Sequence, residues 1–248
     1  MSTQSIVTAI RLLEAVSDHQ PAGLSELSRI SDIPKATALR ALRTLSELNW
    51  VRQSDLQGGK WVLTDHAFAV ASQGSSGSLL RDVAMGPLSA LQLETTETVH
   101  LAVPDNRSMV VVERLDTPHV LRAFLPLGSR VPMHASATGI AYLAVGEERF
   151  LSDYLSVPLE AVTPQTVIDT QALQSAITDT QSRGFSINEE GLSTGITSLG
   201  AGILGRGGAA VGSISISGPS SRITPDKYEE YGKAVRSTAR EIGRALAR

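Results

Sequence analysis

The 248-residue chain has no cysteine, which excludes disulfides, thiolate zinc sites and cysteine nucleophiles together. It has no apolar run approaching the ~20 residues of a membrane span, so no membrane partner is expected. The opening residues, Met1–Gln4, are polar and uncharged and lead straight into an amphipathic segment, unlike a secretory leader. Nor is there a strong excess of one charge: the net charge is −3, which does not by itself announce a nucleic-acid binder. What is present, 42% apolar and 19% charged residues, is the composition of a soluble globular protein long enough for two ordinary domains. A cytoplasmic location is expected. Residues 1–64 carry seven Lys/Arg against six Asp/Glu, and the remainder fifteen against nineteen, so the placement of the cations matters more than their number.

Ile6, Ala9, Ile10, Leu13 and Val16 follow helical spacing and predict a helix over 4–17. After the break at His19–Gly23, a short helix fits Leu24–Ile30 with Ser25 as N-cap. Pro34 suits a first helical position, and a third helix to about Leu48 buries Ala38, Ala41, Leu42, Leu45 and Leu48. Val51–Gln53 and Trp61–Leu63 are strands joined by a turn containing Gly58-Gly59. Three helices and a hairpin in this order predict a winged helix-turn-helix. The outward face of the third helix carries Lys35, Thr37, Arg40, Arg43 and Thr44, and Lys60 borders the hairpin turn. Guanidinium, ammonium and hydroxyl groups on the second helix of a tight helix pair suit phosphate and base-edge contacts in a major groove. A charged helix face is otherwise simply solvated.

A helix over Asp65–Gln73 and a flexible Gly74–Ser78 joint mark the domain boundary. The division is therefore 1–64 as head, 65–78 as linker and 79–248 as second domain. Beyond it the pattern predicts a helix at Leu79–Glu94 disturbed near Gly86-Pro87, and strands at Val99–Val103, Met109–Glu113 and Val120–Leu125. Helices follow at Ser136–Val145, Glu147–Leu155 and Thr170–Arg183. Strands near Ser198–Leu204 and Ala209–Ser217 precede a last helix from Thr224, whose stripe is Tyr228, Tyr231, Val235, Ala239, Ile242 and Leu246. Strands grouped in hairpins indicate an α+β domain with an antiparallel sheet. In Ser213-Ile214-Ser215-Ile216-Ser217 the period of two puts isoleucines on one face and serines on the other. That serine face is either a pocket wall or a solvated surface.

With these blocks in order, the chain resembles the IclR family of bacterial regulators. The resemblance runs through Gly23–Leu27 and Ile33–Thr37 in the head, Val131–Gly139, Thr163–Thr170, Gly184–Glu190 and Ile214–Pro219. It implies a GAF-like effector domain, a dimer or tetramer, palindromic operator DNA and a small-molecule effector. Ala137 and Thr138 match a backbone turn that cradles an acidic effector in some relatives, and Ser215 and Ser217 match pocket hydroxyls. Ile187 and Thr197 fall where some relatives carry an Asp and a Cys, so no relative's effector, glyoxylate for example, transfers directly. Ile187 and the small residues Ala137 and Gly195 would leave room for an aromatic or short aliphatic acid.

Enzyme chemistry finds little support. Gly200–Gly205 matches G-x-G-x-x-G, yet Arg206-Gly207-Gly208 and a strand follow where a dinucleotide site requires a helix. The five histidines never pair at metal-ligand spacing. His134 beside Ser136 lacks a G-x-S-x-G elbow and reads as a loop hydrogen-bonder, and adjacent Glu189-Glu190 read as a solvated turn. The expected protein is thus a regulator whose DNA affinity responds to a small polar or acidic metabolite, with no cofactor and no metal. The alternatives are a DNA-binding protein whose second domain only oligomerises and, with less support, an enzyme with an appended head.

Overall fold

Apolar spacing in the first fifty residues closes into a three-helix knot: α1 (Gln4–His19), α2 (Leu24–Ile30) and α3 (Lys35–Glu47). The computed structural model describes residues 3–54, 58–73 and 76–247, arranged as two units, Met1–Ser75 and Ser76–Arg248. In the first unit Leu12, Val16, Leu27, Ala38, Leu42 and Trp61 form a buried core. The hairpin is β1 (Val51–Ser54) paired antiparallel with β2 (Lys60–Leu63). Trp61 exchanges two backbone hydrogen bonds with Ala22, which ties the wing to the α1–α2 turn. α4 (Asp65–Gln73) ends this unit.

Three local expectations are corrected here. The N-cap of α2 is Gly23, because the Glu26 carboxylate reaches back to accept from the Gly23 N–H at 3.4 Å. Pro34 is the cap of α3 and not its first residue. Leu48 is 58% exposed, since the helix stops at Glu47 and Asn49 turns the chain at φ +60 before the side chain can fold under. Gly58 and Gly59 adopt positive φ in the hairpin turn, whereas Asp55, Leu56 and Gln57 lie outside the described residues, as do Gly74 and Ser75.

The second unit begins with α5 (Ser76–Thr95), so Ser76–Ser78 are helical and not part of a loose joint. The helix runs through Pro87 without interruption. Burial of Leu80, Ala84, Leu88 and Leu91 on one stripe holds it across the missing N–H. The strands are β3 (Thr98–Asp105), β4 (Ser108–Leu115), β5 (Arg130–Pro132), β6 (Ser186–Glu189), β7 (Ile196–Leu204) and β8 (Ala210–Pro219). They form one antiparallel sheet in the order β5-β4-β3-β8-β7-β6. Gly200 and Gly202 lie inside β7 and Gly205 opens the turn to β8, so a three-residue 3-10 turn and a strand follow the glycines, and no α-helix. The remaining helices are α6 (Ala137–Val145), α7 (Glu148–Leu155), α8 (Thr170–Arg183) and α9 (Tyr228–Leu246).

Register assigns the faces. Val99, Leu101, Leu199, Ala201, Ile203, Ile214 and Ile216 pack with α5 and α9. Their neighbours Thr98, His100, Ser198, Gly200, Gly202, Ser213, Ser215 and Ser217 share the other face. α6 lies on that face over the two glycines: a Cβ at Gly200 would stand 2.6 Å from the Ala137 carbonyl oxygen, and one at Gly202 2.9 Å from that of Ala141. The serine face is therefore buried, with Ser213, Ser215 and Ser217 at 0, 3 and 6% exposure.

Two sheet expectations change. β6 was not anticipated. Val120–Leu125 forms no strand: residues 116–129 run as an irregular strap whose carbonyls are taken by side chains. Thr98 Oγ1 donates to Ala123 O at 3.2 Å, Arg114 Nη1 to Leu125 O at 2.9 Å and Arg222 Nη1 to Leu121 O at 2.9 Å. β5 occupies the start of the β4 edge instead.

Candidate functional site

On α3, Lys35, Thr37, Arg40, Arg43 and Thr44 are all exposed, as the apolar spacing required. At about 100° per residue, Arg40 and Arg43 stand on either side of the middle of the exposed arc, with the threonines on the α1 flank and Lys35 on the other. None of the three cations has a carboxylate partner among the described residues. Thr44 donates its hydroxyl to Arg40 O at 3.2 Å, so it offers a ligand its lone pairs and methyl group. Thr37, Arg40 and Thr44 also border a shallow groove of about 440 Å³ against α1. The turn before α3 is tight: Asp32 takes φ +54 and Ile33 is buried as a plug. Lys60 is exposed at the start of β2. Exposed Arg52 on β1, opposite Val62, is a further wing cation that sequence reasoning passed over.

In the second unit, α6 covers only part of the serine face. The rest is roofed by residues 123–125 of the strap and by the loop 192–196, enclosing a small cavity of about 40 Å³. Its polar wall is His100, Asn188, Ser198 and Ser217, and its roof is apolar except for Ser193. Ser198 Oγ donates to Ser217 Oγ at 2.9 Å, and Ser217 Oγ lies 3.4 Å from His100 Nδ1. With Ser217 Oγ accepting from Ser198, its own proton can go to Nδ1, and in that tautomer the ring proton sits on Nε2. Nε2 has no partner among the described residues. Burial, with the Arg114 charge adding to it, lowers the His100 pKa to about 4, so the ring is neutral. Arg114, opposite His100 on β4, is paired with Asp116 at 2.8 Å and lies over the Phe124 ring. A second ion pair, Arg222–Glu97 at 2.6 Å, holds the strap from the other side.

Comparison with known proteins fits both halves. The model of the IclR helix-turn-helix domain matches residues 5–55, and that of the bacterial transcriptional regulator IclR C-terminal domain matches residues 76–244. The chain belongs to the IclR family. It is a transcriptional regulator with a DNA-binding helix-turn-helix. It is 34% identical to the AllR repressor of Klebsiella pneumoniae over 98% of this chain and 90% of that protein. Against the IclR repressor of Escherichia coli K12 it is 32% identical over 96% and 88%. Thermotoga maritima IclR superposes with a TM-score of 0.81 at 25% identity, covering 99% of both chains. An IclR homolog from Microbacterium hydrocarbonoxydans, complexed with 4-hydroxybenzoate, gives 0.83 at 23% identity, covering 98% of both. The α+β class, with its winged head and antiparallel effector-domain sheet, matches the expectation.

Within this family member the six expected effector residues separate. Ser217 lines the cavity, and Ser215 shares its face between Gly200 and His100. Ala137 and Thr138 are buried in the α6 covering but do not reach the cavity. The α6 start is already occupied: Ser136 Oγ accepts from the Gly139 N–H at 3.1 Å, and Ser186 Oγ donates to Ala137 O at 2.7 Å. Ile187 and Thr197 are corrected: both point to the opposite face. Ile187 packs into the α5/α9 core, and Thr197 Oγ1 donates to Ser220 Oγ at 3.0 Å. Their neighbours Asn188 and Ser198 take the pocket positions, a one-residue slip that reverses every side chain on a strand. His100 was missed although Val99-His100-Leu101 places one polar residue in an apolar strand. His134 proves to be a loop hydrogen-bonder, with Nδ1 2.8 Å from Tyr154 Oη and Nε2 2.9 Å from Glu160 O.

Proposed function

We propose that this regulator binds a two-fold operator as a homodimer or tetramer, and that a small polar or acidic molecule in the His100/Asn188/Ser198/Ser217 cavity alters that binding. The observation that carries the reading is the enclosed cavity with one polar wall, a roof apolar except for Ser193 and an unpartnered buried ring nitrogen. A domain that served only to oligomerise has no use for such a void. The relatives named above are repressors, and one neighbour is held with 4-hydroxybenzoate; both support a ligand-sensing repressor acting on DNA in the cytoplasm. DNA reading belongs to residues 1–64 and sensing to the unit beginning at Ser76.

Cavity size bears on the ligand. At ~10–15 Å³ of such space per water, about 40 Å³ suits a short acid, and an aromatic one requires the strap to move outward. Ile187, which with Ala137 and Gly195 would have left room for a larger acid, faces the opposite side of the sheet. The test is a thermal shift of the full chain against a panel of short and aromatic carboxylates, paired with operator binding. A ligand that binds only the native state raises stability by mass action. Ser198→Leu, which fills the cavity, should abolish both the shift and the operator response while leaving ligand-free operator binding intact. Thr197→Val, on the opposite face, should change neither. Equal responses in wild type and Ser198→Leu would refute the site.

A further inference from the structure

A neutral, buried histidine with one ring nitrogen bonded to a serine and the other facing a cavity without a protein partner is a costly feature in a sheet interior. Nothing in the fold requires it, since over residues 198–202 and 213–217 β7 and β8 meet the same face with glycines and serines alone. We propose that His100 receives the acid group of the effector: Nε2–H donates to a carboxylate oxygen, and the acid enters together with one proton from solvent. This inference rests on the sensing role proposed for the cavity and names the chemistry of that site.

The hydroxyl chain shows where the proton goes. In the tautomer with the ring proton on Nε2, hydrogen bonds in the free protein run from Ser198 to Ser217 to Nδ1. A proton placed on Nδ1 makes the ring a cation that donates to Ser217 Oγ. Ser217 then donates to Ser198, whose own hydroxyl turns to the ligand's second oxygen. No bond to carbon forms or breaks; one proton is taken up, and the buried carboxylate–imidazolium pair is neutral overall.

Charge balance makes this coupling necessary. The charged groups facing His100 are Arg114 and Asp116, already paired at 2.8 Å. β7 and β8 contain no titratable residue, and the one in α6, Tyr142, is stacked edge-on against Phe150. On β6, Glu189 accepts from Tyr228. A carboxylate arriving without its proton would thus be buried where no Lys or Arg among the described residues lines the cavity, which is strongly unfavourable.

The experiment uses the full-length chain labelled with 15N-histidine, with acetate, propionate and benzoate as acid probes and acetamide and benzamide as their uncharged counterparts. At neutral pH, calorimetry in two buffers of different ionisation enthalpy should show uptake of close to one proton with the acid. Both nitrogens of His100 should be protonated in the complex, where the free ring carries one proton. His100→Gln keeps a donor but cannot take the proton; it should weaken acid binding by at least about tenfold, remove proton uptake and leave amide binding unchanged. His100→Phe should weaken both. The inference is overturned by acid binding without proton uptake and with unmoved His100 nitrogens, by His100→Phe binding as tightly as wild type, or by no probe binding at millimolar concentration. Ser198→Leu separates the two levels. If it loses the acid while His100→Phe keeps it, only the histidine's role falls. If it keeps the acid, the sensing site itself is elsewhere.

Discussion

Arg40 and Arg43 are exposed in the middle of the α3 face and have no carboxylate partner among the described residues, so neither has a structural task to lose there. Alanine at either should leave the melting temperature unchanged and weaken operator binding by about 1–3 kcal/mol if the side chain reads a base edge. A phosphate contact instead weakens specific and random duplexes alike and lowers the log–log salt slope by roughly one. Binding curves on both duplexes across salt concentration separate the outcomes, and an unchanged double variant would remove α3 from the interface. His100 supplies a prediction of a different kind. Its pKa in the fold is about 4 against 6.5 in an unfolded chain, so the unfolded state alone gains this proton as pH falls below 6.5. Stability is therefore full above about pH 7 and declines toward pH 4. Between pH 7 and 5 the loss from this one group is about 2 kcal/mol. Denaturant titrations of His100→Gln should show that part of the decline removed; parallel slopes would mean the ring is not held neutral.

At the scale of elements, the helices were legible because a 3.6-residue stripe survives small errors of phase. α8 kept both its ends through the Asp169 cap, which accepts from Ala172 at 2.8 Å, and the left-handed Gly184. Strands are less forgiving. Serines 213, 215 and 217 fall on one face by their own alternation, whereas Ile187 and Thr197, taken from the family resemblance and not from a strand pattern, face the opposite side of the sheet. The strap looked like a strand because Val120–Leu125 is apolar. Its fate is set by Arg114, Arg222 and Thr98, distant donors that no local pattern reveals. Gly200 is the element-level contact most open to test. Gly200→Ala puts a methyl 2.6 Å from Ala137 O and 2.9 Å from Ser186 Oγ, pushing α6 off the sheet. It should cost about 1–3 kcal/mol and lower ligand affinity, read by urea denaturation and calorimetry, while Gly195→Ser, with nothing within 4 Å of its Cβ, is strained by its φ of +75 alone.

For the whole molecule, the arrangement of apolar surface bears on assembly. The α5 stripe of Leu80, Ala84, Leu88 and Leu91 is buried within its own unit against the sheet and α9. In the head the reverse holds. Ile6 and Ile10, four residues apart on α1, are 58 and 51% exposed, one above the other on a single stripe, while Leu12, Ala15 and Val16 fill the core. In the dimer proposed above, two heads on a palindrome would sit a helical turn or a multiple of it apart, ~34–36 Å per turn, and such a stripe is suited to a second copy. Replacing both isoleucines by glutamate leaves the buried positions untouched, so the head should stay folded and bind an isolated half-site as wild type does. On the full palindrome the preference over the half-site should collapse toward that of two independent sites, because charge repulsion replaces apolar contact. The comparison is made by anisotropy on both duplexes at one salt concentration, with light scattering on the free chain. A double variant that retains the wild-type preference for the palindrome would exclude α1 from the dimer contact and leave the effector domain as the element that joins the two copies.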